Sequence, residues 1–225
     1  MDDKAKDERP QDSVPRRRVR PQDSVRMGYM SSWAYFDDPK RLAFTFSRYK
    51  FVAEMLSGCR HVLEVGCGDA FFSRVVREEV EHLTAVDFDS SFVEDARARS
   101  EPSPIEIRMH DMLKGPVEGI FDGAYSLDVL EHIRPSDEHQ FLRNITASLE
   151  PHATLIVGTP SAQSQAYASE HSKIGHVNCK DQRELKSFMR NYFHNVYTFS
   201  MNDEVIYAGG HAMSHYNLAL CCGKR

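Results

Sequence analysis

Apolar and polar residues follow the two periods expected of helices and strands along most of the chain. Large apolar residues recur at spacings of four and three over 42–56, behind Asp38 and Pro39, which predicts an amphipathic helix that ends at Gly58. Short apolar runs then alternate with further helical patterns. The predicted strands are 61–65, 83–88, 105–110, 123–127, 154–158, 195–202 and 215–222, and the other helices are 71–79, one opening at 91, 136–149 and 181–192.

Capping signals place several of these helix ends. Ser91 with Glu94, and Asp181 with Glu184, have the spacing of a capping box. Ser136, followed by two acidic residues, opens the helix over 136–149, and Pro151 is expected to stop it. The stretch 159–180 shows no regular pattern and is expected to be irregular.

The order of elements indicates an α/β fold. Strands that alternate with helices of 10 to 15 residues favour right-handed crossovers and a parallel sheet. The last two strands have no helix between them, which is typical of an antiparallel hairpin at a sheet edge. We therefore predict a doubly wound, Rossmann-like, seven-stranded and mostly parallel sheet with a reversed edge strand.

The first 26 residues differ from the rest of the chain. They are polar, and the hexapeptide Arg-Pro-Gln-Asp-Ser-Val occurs at 9–14 and again at 20–25. Such a segment buries too little apolar surface to offset its loss of conformational entropy. We predict a disordered tail over 1–26, a single domain over 27–225, and order from about Trp33.

Composition narrows the class of protein. The 225 residues are 41% hydrophobic, enough for one substantial core, and no apolar run is long enough to span a membrane. The five cysteines show no CxxC pair, so we expect reduced thiols in a soluble, cytoplasmic protein. The net charge is −5, and the 26-residue tail is itself basic. An acidic domain favours a small-molecule partner over nucleic acid or a membrane.

One motif carries the strongest functional signal. Gly66 and Gly68 follow the strand that contains Glu64, and they allow a sharp turn and a close approach of backbone to ligand. Asp87 ends the next strand, 21 residues after Gly66, where a carboxylate can accept both hydroxyls of a ribose.

Together with His110-Asp111-Met112 and the segment from Phe121 to His132, this motif resembles the successive motifs of class I S-adenosylmethionine-dependent methyltransferases. The chain is most similar to small-molecule enzymes like the ubiquinone-biosynthesis O-methyltransferases, over about residues 40 to 222. The resemblance implies that Glu64 and the loop hold the methionine part of S-adenosylmethionine, Asp87 the ribose, and Asp111 with Met112 the adenine. The implied cofactor set is Glu64, Gly66, Cys67, Gly68, Asp87, Phe88, Asp111, Met112, Leu127 and Asp128.

One residue departs from the family pattern. Ala70 stands where the family usually has a third glycine, and we expect its extra methyl group to be tolerated at the start of the helix. A nicotinamide-dependent dehydrogenase is the alternative enzyme, but its fingerprint needs a glycine where this chain has Phe71. A non-catalytic S-adenosylmethionine-binding subunit is a further alternative.

Three histidines are candidate general bases. Oxygen acceptors usually arrive protonated, and histidine accepts a proton near neutral pH. We select His176 first, then His171 and His132, and predict methyl transfer to a hydroxyl of a metabolite, natural product or sugar, with an amine nitrogen as the alternative. Glu131 and these histidines also make a metal site conceivable, but no spacing fixes their distances, so we expect no metal.

Two other segments are candidate contacts for ligands or subunits. The loop 201–211, with its pair of glycines, lies at the expected sheet edge and is available to the acceptor or to a second subunit in a homodimer. The aromatic residues Tyr29, Trp33, Tyr35 and Phe36 form either a lid over the cofactor or a segment packed on the core.

Overall fold

The computed structural model describes residues 24–99 and 104–225. Seven α-helices and eight strands lie in these ranges, joined by three short 3₁₀ segments. The helices are α1 Tyr29–Asp37, α2 Lys40–Leu56, α3 Ser73–Arg77, α4 Ser90–Arg97, α5 Glu138–Ala147, α6 Glu170–Gly175 and α7 Gln182–Met189. The strands are β1 His61–Val65, β2 His82–Asp87, β3 Glu106–Met109, β4 Phe121–Leu127, β5 Leu149–Pro160, β6 Phe193–Asn202, β7 Val205–Tyr207 and β8 Tyr216–Lys224.

All eight strands form one sheet in the order β3-β2-β1-β4-β5-β8-β6-β7. The pairs among β1 to β5 are parallel, whereas β8 runs antiparallel to both β5 and β6. Strand β7 pairs antiparallel with β6 and is the reversed strand at the edge. The predicted α/β class and the mostly parallel sheet with a reversed edge strand are confirmed. The predicted count of seven strands is wrong, because the sequence pattern did not predict β7, which takes the edge, and the last predicted strand, β8, lies between β5 and β6.

Two hydrophobic clusters cover the two faces of the sheet, because side chains of a buried strand alternate between faces. On one face, Leu63 and Ala124 pack with α5 and α7, and on the other, Val62 and Tyr125 pack with α2 and α3. Because helices cover both faces of the sheet, the ends of the strands stay uncovered. Ligands are expected at the carboxyl ends of the strands, as in other open α/β sheets.

Several predicted boundaries are wrong, for local reasons. Helix α4 is capped by Asp89, whose side chain accepts the Ser91 N–H, and the predicted Ser91–Glu94 capping pair is not used. Helix α5 ends at Ala147, and Pro151 lies inside β5, at an exposed position near a register shift against β4. The stretch 159–180 contains a 3₁₀ segment at Gln163–Tyr167 and the helix α6. The Asp181–Glu184 capping box of α7 is confirmed.

The amino-terminal boundary lies earlier than expected. Ser31 in α1 is buried, so ordered structure begins before Trp33. Arg26 forms an ion pair with Asp95 at 2.9 Å, although it belongs to the predicted tail. Residues 1–23, which hold most of that tail, lie outside the described residues. Among the described residues, the helices are too short or too polar to cross a bilayer.

Candidate cofactor and acceptor site

The glycine loop after β1 joins the carboxyl ends of β1 and β2. Gly66 and Gly68 have φ of +79° and +52°, values that a side chain would strain. The Gly68 N–H donates to Asp87 Oδ2 at 2.8 Å, and the Asp89 N–H donates to Asp87 Oδ1 at 3.0 Å. A Cβ placed on Gly68 would meet no atom within 4 Å, so the loop borders open space beside Asp87.

Glu64 is buried next to this loop with one oxygen unused. Tyr49 Oη donates to Glu64 Oε1 at 2.7 Å, whereas Oε2 is buried without a hydrogen-bond partner among the described residues. Burial raises the pKa of Glu64 to about 7, and the nearby hydroxyls of Ser73, Tyr49 and Tyr125 limit the rise. A buried, unpartnered carboxylate oxygen is costly, and a cationic ligand group would offset that cost. Burial likewise raises the pKa of the Cys67 thiol in the loop.

Ala70 occupies the third glycine position in a left-handed conformation, with φ of +52°. It does not start the helix, because α3 begins at Ser73. Its side chain is buried against Cys67, Ala85 and Ala96. The methyl group is thus accommodated by small neighbours, and its cost is backbone strain.

The remaining predicted cofactor residues differ in what their side chains do. Phe88 is exposed beside Asp87, at 76%, and offers a flat apolar surface. Asp111 accepts the Leu113 N–H at 3.0 Å and lies near Lys114. Met112 packs in the core, and its carbonyl accepts a hydrogen bond from Asn144. Leu127 is buried at the end of β4.

Asp128 follows β4 and has φ of +56°. Its side chain forms a contact that the sequence pattern did not predict. Arg48 from α2 donates to both of its carboxylate oxygens at 2.8 and 2.9 Å. The Arg48 guanidinium lies 3.8 Å from the ring centroid of Tyr216 in β8, and the Asp128 N–H reaches the Tyr216 hydroxyl at 3.2 Å. Arg48 of α2 therefore holds the carboxylate near the expected methyl-transfer position, and Tyr216 of β8 holds the backbone of the same residue.

Two of the three candidate bases lie together next to Asp128. His132, in the 3₁₀ turn after β4, and His176, after α6, have ring centroids 5.2 Å apart. Burial, with the neighbouring His132, lowers the pKa of His176, so its ring is mostly neutral at pH 7. Glu131 is fully buried beside them, and burial with the Asp128 charge raises its pKa to about 8. His171 lies in α6, but its side chain is outside the described part of the structure.

Polar contacts anchor α1, whereas its aromatic side chains stay exposed. The Ser31 N–H donates to Asp69 Oδ2 at 2.8 Å, and the Tyr29 N–H donates to Asp95 Oδ2 at 3.2 Å. Trp33 and Phe36 are 54% and 86% exposed. The helix is thus tied to the glycine loop and α4, and its role as a lid stays a prediction. In the loop 201–211, Gly209 and Gly210 have φ of +86° and +64°.

Sequence reasoning missed Arg48, Tyr49 and Tyr216. In the sequence, Tyr49 belongs to the apolar stripe of α2, and Arg48 is its polar neighbour. The available signal for Arg48 is a long cationic side chain next to the buried stripe of α2. That signal does not identify its partner, Asp128, which lies 80 residues away along the chain.

Comparison with known proteins agrees with this geometry. Residues 62–152 match the family model described as a methyltransferase domain. The chain is 29% identical over 135 residues to the ubiquinone biosynthesis O-methyltransferase of Xanthomonas campestris, covering 58% of this chain and 53% of that protein. It is 26% identical over 122 residues to a probable S-adenosylmethionine-dependent methyltransferase of Mycolicibacterium smegmatis, covering 52% and 46%. The chain thus spans about half the length of these relatives.

Solved structures share the fold. The crystal structure of the N-methyltransferase NodS from Bradyrhizobium japonicum, in complex with S-adenosyl-L-homocysteine, has a TM-score of 0.63 at 15% identity and covers 86% of this chain and 92% of NodS. Residues 62–152 therefore match a methyltransferase domain, and the chain has the class I fold that it shares with NodS.

Proposed function

We propose that this protein is an S-adenosylmethionine-dependent methyltransferase that methylates a hydroxyl oxygen of a small molecule, such as a metabolite, natural product or sugar. The observation that carries the proposal is the arrangement at the ends of β1 and β2. There Gly68 borders open space and its N–H donates to the carboxylate of Asp87, while Glu64, at the end of β1, keeps a buried carboxylate oxygen without a partner among the described residues.

The donor groups in this space suit S-adenosylmethionine. Glu64 Oε2 is available to the methionine ammonium group, and this pairing would favour the ionised carboxylate. Asp87 keeps free lone pairs for two ribose hydroxyls, since each oxygen accepts one backbone N–H. We assign Phe88, Asp111 and Met112 to the adenine side of the site, with Met112 acting through its backbone, because its side chain is in the core.

When bound, S-adenosylmethionine supplies a methyl group on a positively charged sulfur. The chain's contribution is to align an acceptor oxygen with that methyl group and to exclude water. Asp128 and Leu127, at the end of β4, would lie below the reacting centre. Arg48 holds Asp128 in one orientation, so the floor of the site is rigid.

We assign the proton acceptor to the histidine pair beside Asp128. His176 is the first candidate, since its lowered pKa leaves it neutral and able to take a hydroxyl proton at pH 7. His132 is the second, and His171 remains a candidate on its position in α6 alone. An amine acceptor that binds unprotonated would need no such base.

Cytoplasmic location and a homodimer belong to the proposal as well. All five cysteines are free thiols, which suits a reducing compartment. Sedimentation equilibrium of the full chain tests the dimer, and a mass of 25.7 kDa would contradict it.

Calorimetric titration with S-adenosylhomocysteine tests the central proposal. We expect micromolar binding by the full chain and at least a tenfold loss in Asp87→Ala. The control is Asp122→Ala, because Asp122 also binds two backbone N–H groups, of Arg60 and His61, at the opposite end of the sheet. No binding by a folded protein would contradict the proposal, and tight binding without turnover of any hydroxyl or amine acceptor would favour a non-catalytic subunit.

A further inference from the structure

Three side chains from two segments converge beside the proposed acceptor position. Glu131 and His132 belong to the turn after β4, and His176 follows α6, 44 residues later. One potential ligand atom from each lies within 4.8 Å of the other two. The sequence pattern names these residues but cannot place them together, since loop spacing does not fix distances.

The backbone holds the two segments in register. The Val177 and Asn178 N–H groups both donate to the carbonyl oxygen of Glu131, at 2.8 and 3.0 Å. His176 is therefore fixed directly above the turn that carries the other two side chains. An arrangement pinned by main-chain hydrogen bonds needs little reorganisation to bind a ligand.

Each imidazole already uses one nitrogen for support. His132 Nδ1 donates to the Gly175 carbonyl at 3.0 Å, and His176 Nδ1 donates to Gln165 Oε1 at 3.0 Å. Both rings are thereby set in the tautomer that leaves the Nε2 lone pair free. Supporting hydrogen bonds of this kind orient histidine ligands in metal sites.

The local charge favours a cation. Glu131 is 1% exposed, and its Oε2 accepts a long hydrogen bond, 3.2 Å, from Thr159. The neighbouring Asp128 carboxylate is paired with Arg48, so ionisation of Glu131 adds a negative charge that this pair does not neutralise. A bound cation would stabilise a buried carboxylate in this position.

We propose that Glu131, His132 and His176 bind a divalent transition-metal ion, of which Zn²⁺ is the representative. Two imidazoles and one carboxylate suit Zn²⁺ and leave a fourth position open. Ligand atoms around Zn²⁺ lie about 3 Å apart, so the cluster must contract by less than 2 Å. A small shift of the exposed His132 ring that keeps its Nδ1 hydrogen bond to the Gly175 carbonyl supplies part of this movement. This proposal departs from the expectation of no metal, which rested on the lack of any spacing that fixes the distances among these residues.

The open position would take the acceptor oxygen, a role that rests on the proposed function, whereas metal binding itself does not. Coordination lowers the pKa of a hydroxyl. Its proton then passes to solvent water, so neither imidazole has to accept it. His132 and His176 would act as ligands in the metal-bound protein and as bases only without the ion.

Calorimetric titration of the metal-stripped full chain with zinc sulfate tests the proposal. We expect one equivalent to bind with a micromolar or lower Kd, and at least a tenfold loss of affinity in Glu131→Gln and in the double variant His132→Ala, His176→Ala. Thermal unfolding checks that each variant is folded, and the single variant His132→Ala, at an exposed position, gives a loss of affinity without a folding penalty. Magnesium chloride should bind at least 100-fold more weakly, because Mg²⁺ prefers oxygen ligands.

The control is His82→Ala. His61 and His82 are an exposed, stacked pair with ring centroids 5.0 Å apart. They lie at the amino-terminal ends of β1 and β2, at the end of the sheet opposite the proposed site. If zinc binds at the proposed site and not adventitiously at this pair, His82→Ala leaves the measured zinc affinity unchanged. Wild-type binding weaker than millimolar, or binding unchanged in the double variant, would overturn the site. S-adenosylhomocysteine binding without zinc binding would overturn the metal proposal alone, and zinc binding without S-adenosylhomocysteine binding would overturn the proposed function alone.

Discussion

Arg48 Nη1 lies 2.9 Å from one carboxylate oxygen of Asp128 and 2.8 Å from the other. The pair links α2 to the end of β4, and the guanidinium also covers the Tyr216 ring of β8. Asp128 is held there in a left-handed backbone conformation that costs about 1 kcal/mol or more. An ion pair across three elements is therefore a structural support of the proposed site.

Arg48→Ala should lower the free energy of unfolding by about 1–2 kcal/mol, since it removes the cation from a carboxylate that is 38% exposed and the guanidinium from the Tyr216 ring. Urea unfolding measures the change. The matched control is Arg41→Ala, because Arg41 pairs with Asp37 on the exposed surface of the neighbouring helices. That change should cost about 0.5 kcal/mol. Equal losses in the two variants would contradict a supporting role for the Arg48–Asp128 pair.

The raised pKa of Glu64 predicts a pH-dependent stability. In the unfolded chain the carboxyl ionises near its ordinary value of 4.5, whereas in the ligand-free fold it ionises near 7. The unfolded state therefore loses its proton first, and the fold loses stability as the pH rises from 4.5 to 7, by about 3 kcal/mol in total. Urea unfolding between pH 5 and 8 should show this slope in the wild type and a flatter one in Glu64→Gln.

The same carboxyl predicts the pH dependence of cofactor binding. If the ionised form of Glu64 pairs with the methionine ammonium group, affinity for S-adenosylhomocysteine should fall about tenfold between pH 8 and pH 6. Glu64→Gln should bind weakly at both values. A wild-type affinity that is constant over this range would place the ammonium group elsewhere.

Alanine substitutions at two glycines with positive φ distinguish the structural role of the glycine loop from its role in binding. Gly58 and Gly68 both have positive φ, and a Cβ on either meets no atom within 4 Å. Alanine at each position should cost about 1–2 kcal/mol of stability, from strain alone. Only Gly68→Ala should also weaken S-adenosylhomocysteine binding, by at least tenfold in calorimetry, because its methyl group enters the open space beside Asp87. A similar loss in Gly58→Ala would indicate that strain, not contact, lowers affinity.

Ala70→Gly should leave the affinity for S-adenosylhomocysteine unchanged within about twofold. Its side chain packs against Cys67, Ala85 and Ala96 and not into the open space of the loop. Stability should change by less than about 1 kcal/mol, because relief of backbone strain opposes the lost burial and the greater freedom of the unfolded chain. Tighter binding by tenfold would show that the missing third glycine restricts the cofactor site.

The sequence pattern predicted an element well where the interactions that form it lie within a few consecutive residues. Strand β1 has the bounds that its apolar run indicated, and the Asp181–Glu184 capping box forms as its spacing implied. Prediction failed at Pro151, which was expected to follow a helix but lies within β5. Strand β5 extends back to Leu149 through pairing with Phe121 of β4, so no local pattern could reveal the extension.

The sequence by itself determined the α/β fold class and the position of the glycine loop and Asp87, because residue periodicity and short-range turn chemistry act within a few residues. Only the tertiary structure decided that Arg48 holds Asp128, that Tyr49 leaves one Glu64 oxygen free, and that His176 lies against Glu131 and His132. These contacts join residues 15 to 80 positions apart, and side chains so distant meet only after the sheet has brought the ends of its strands together.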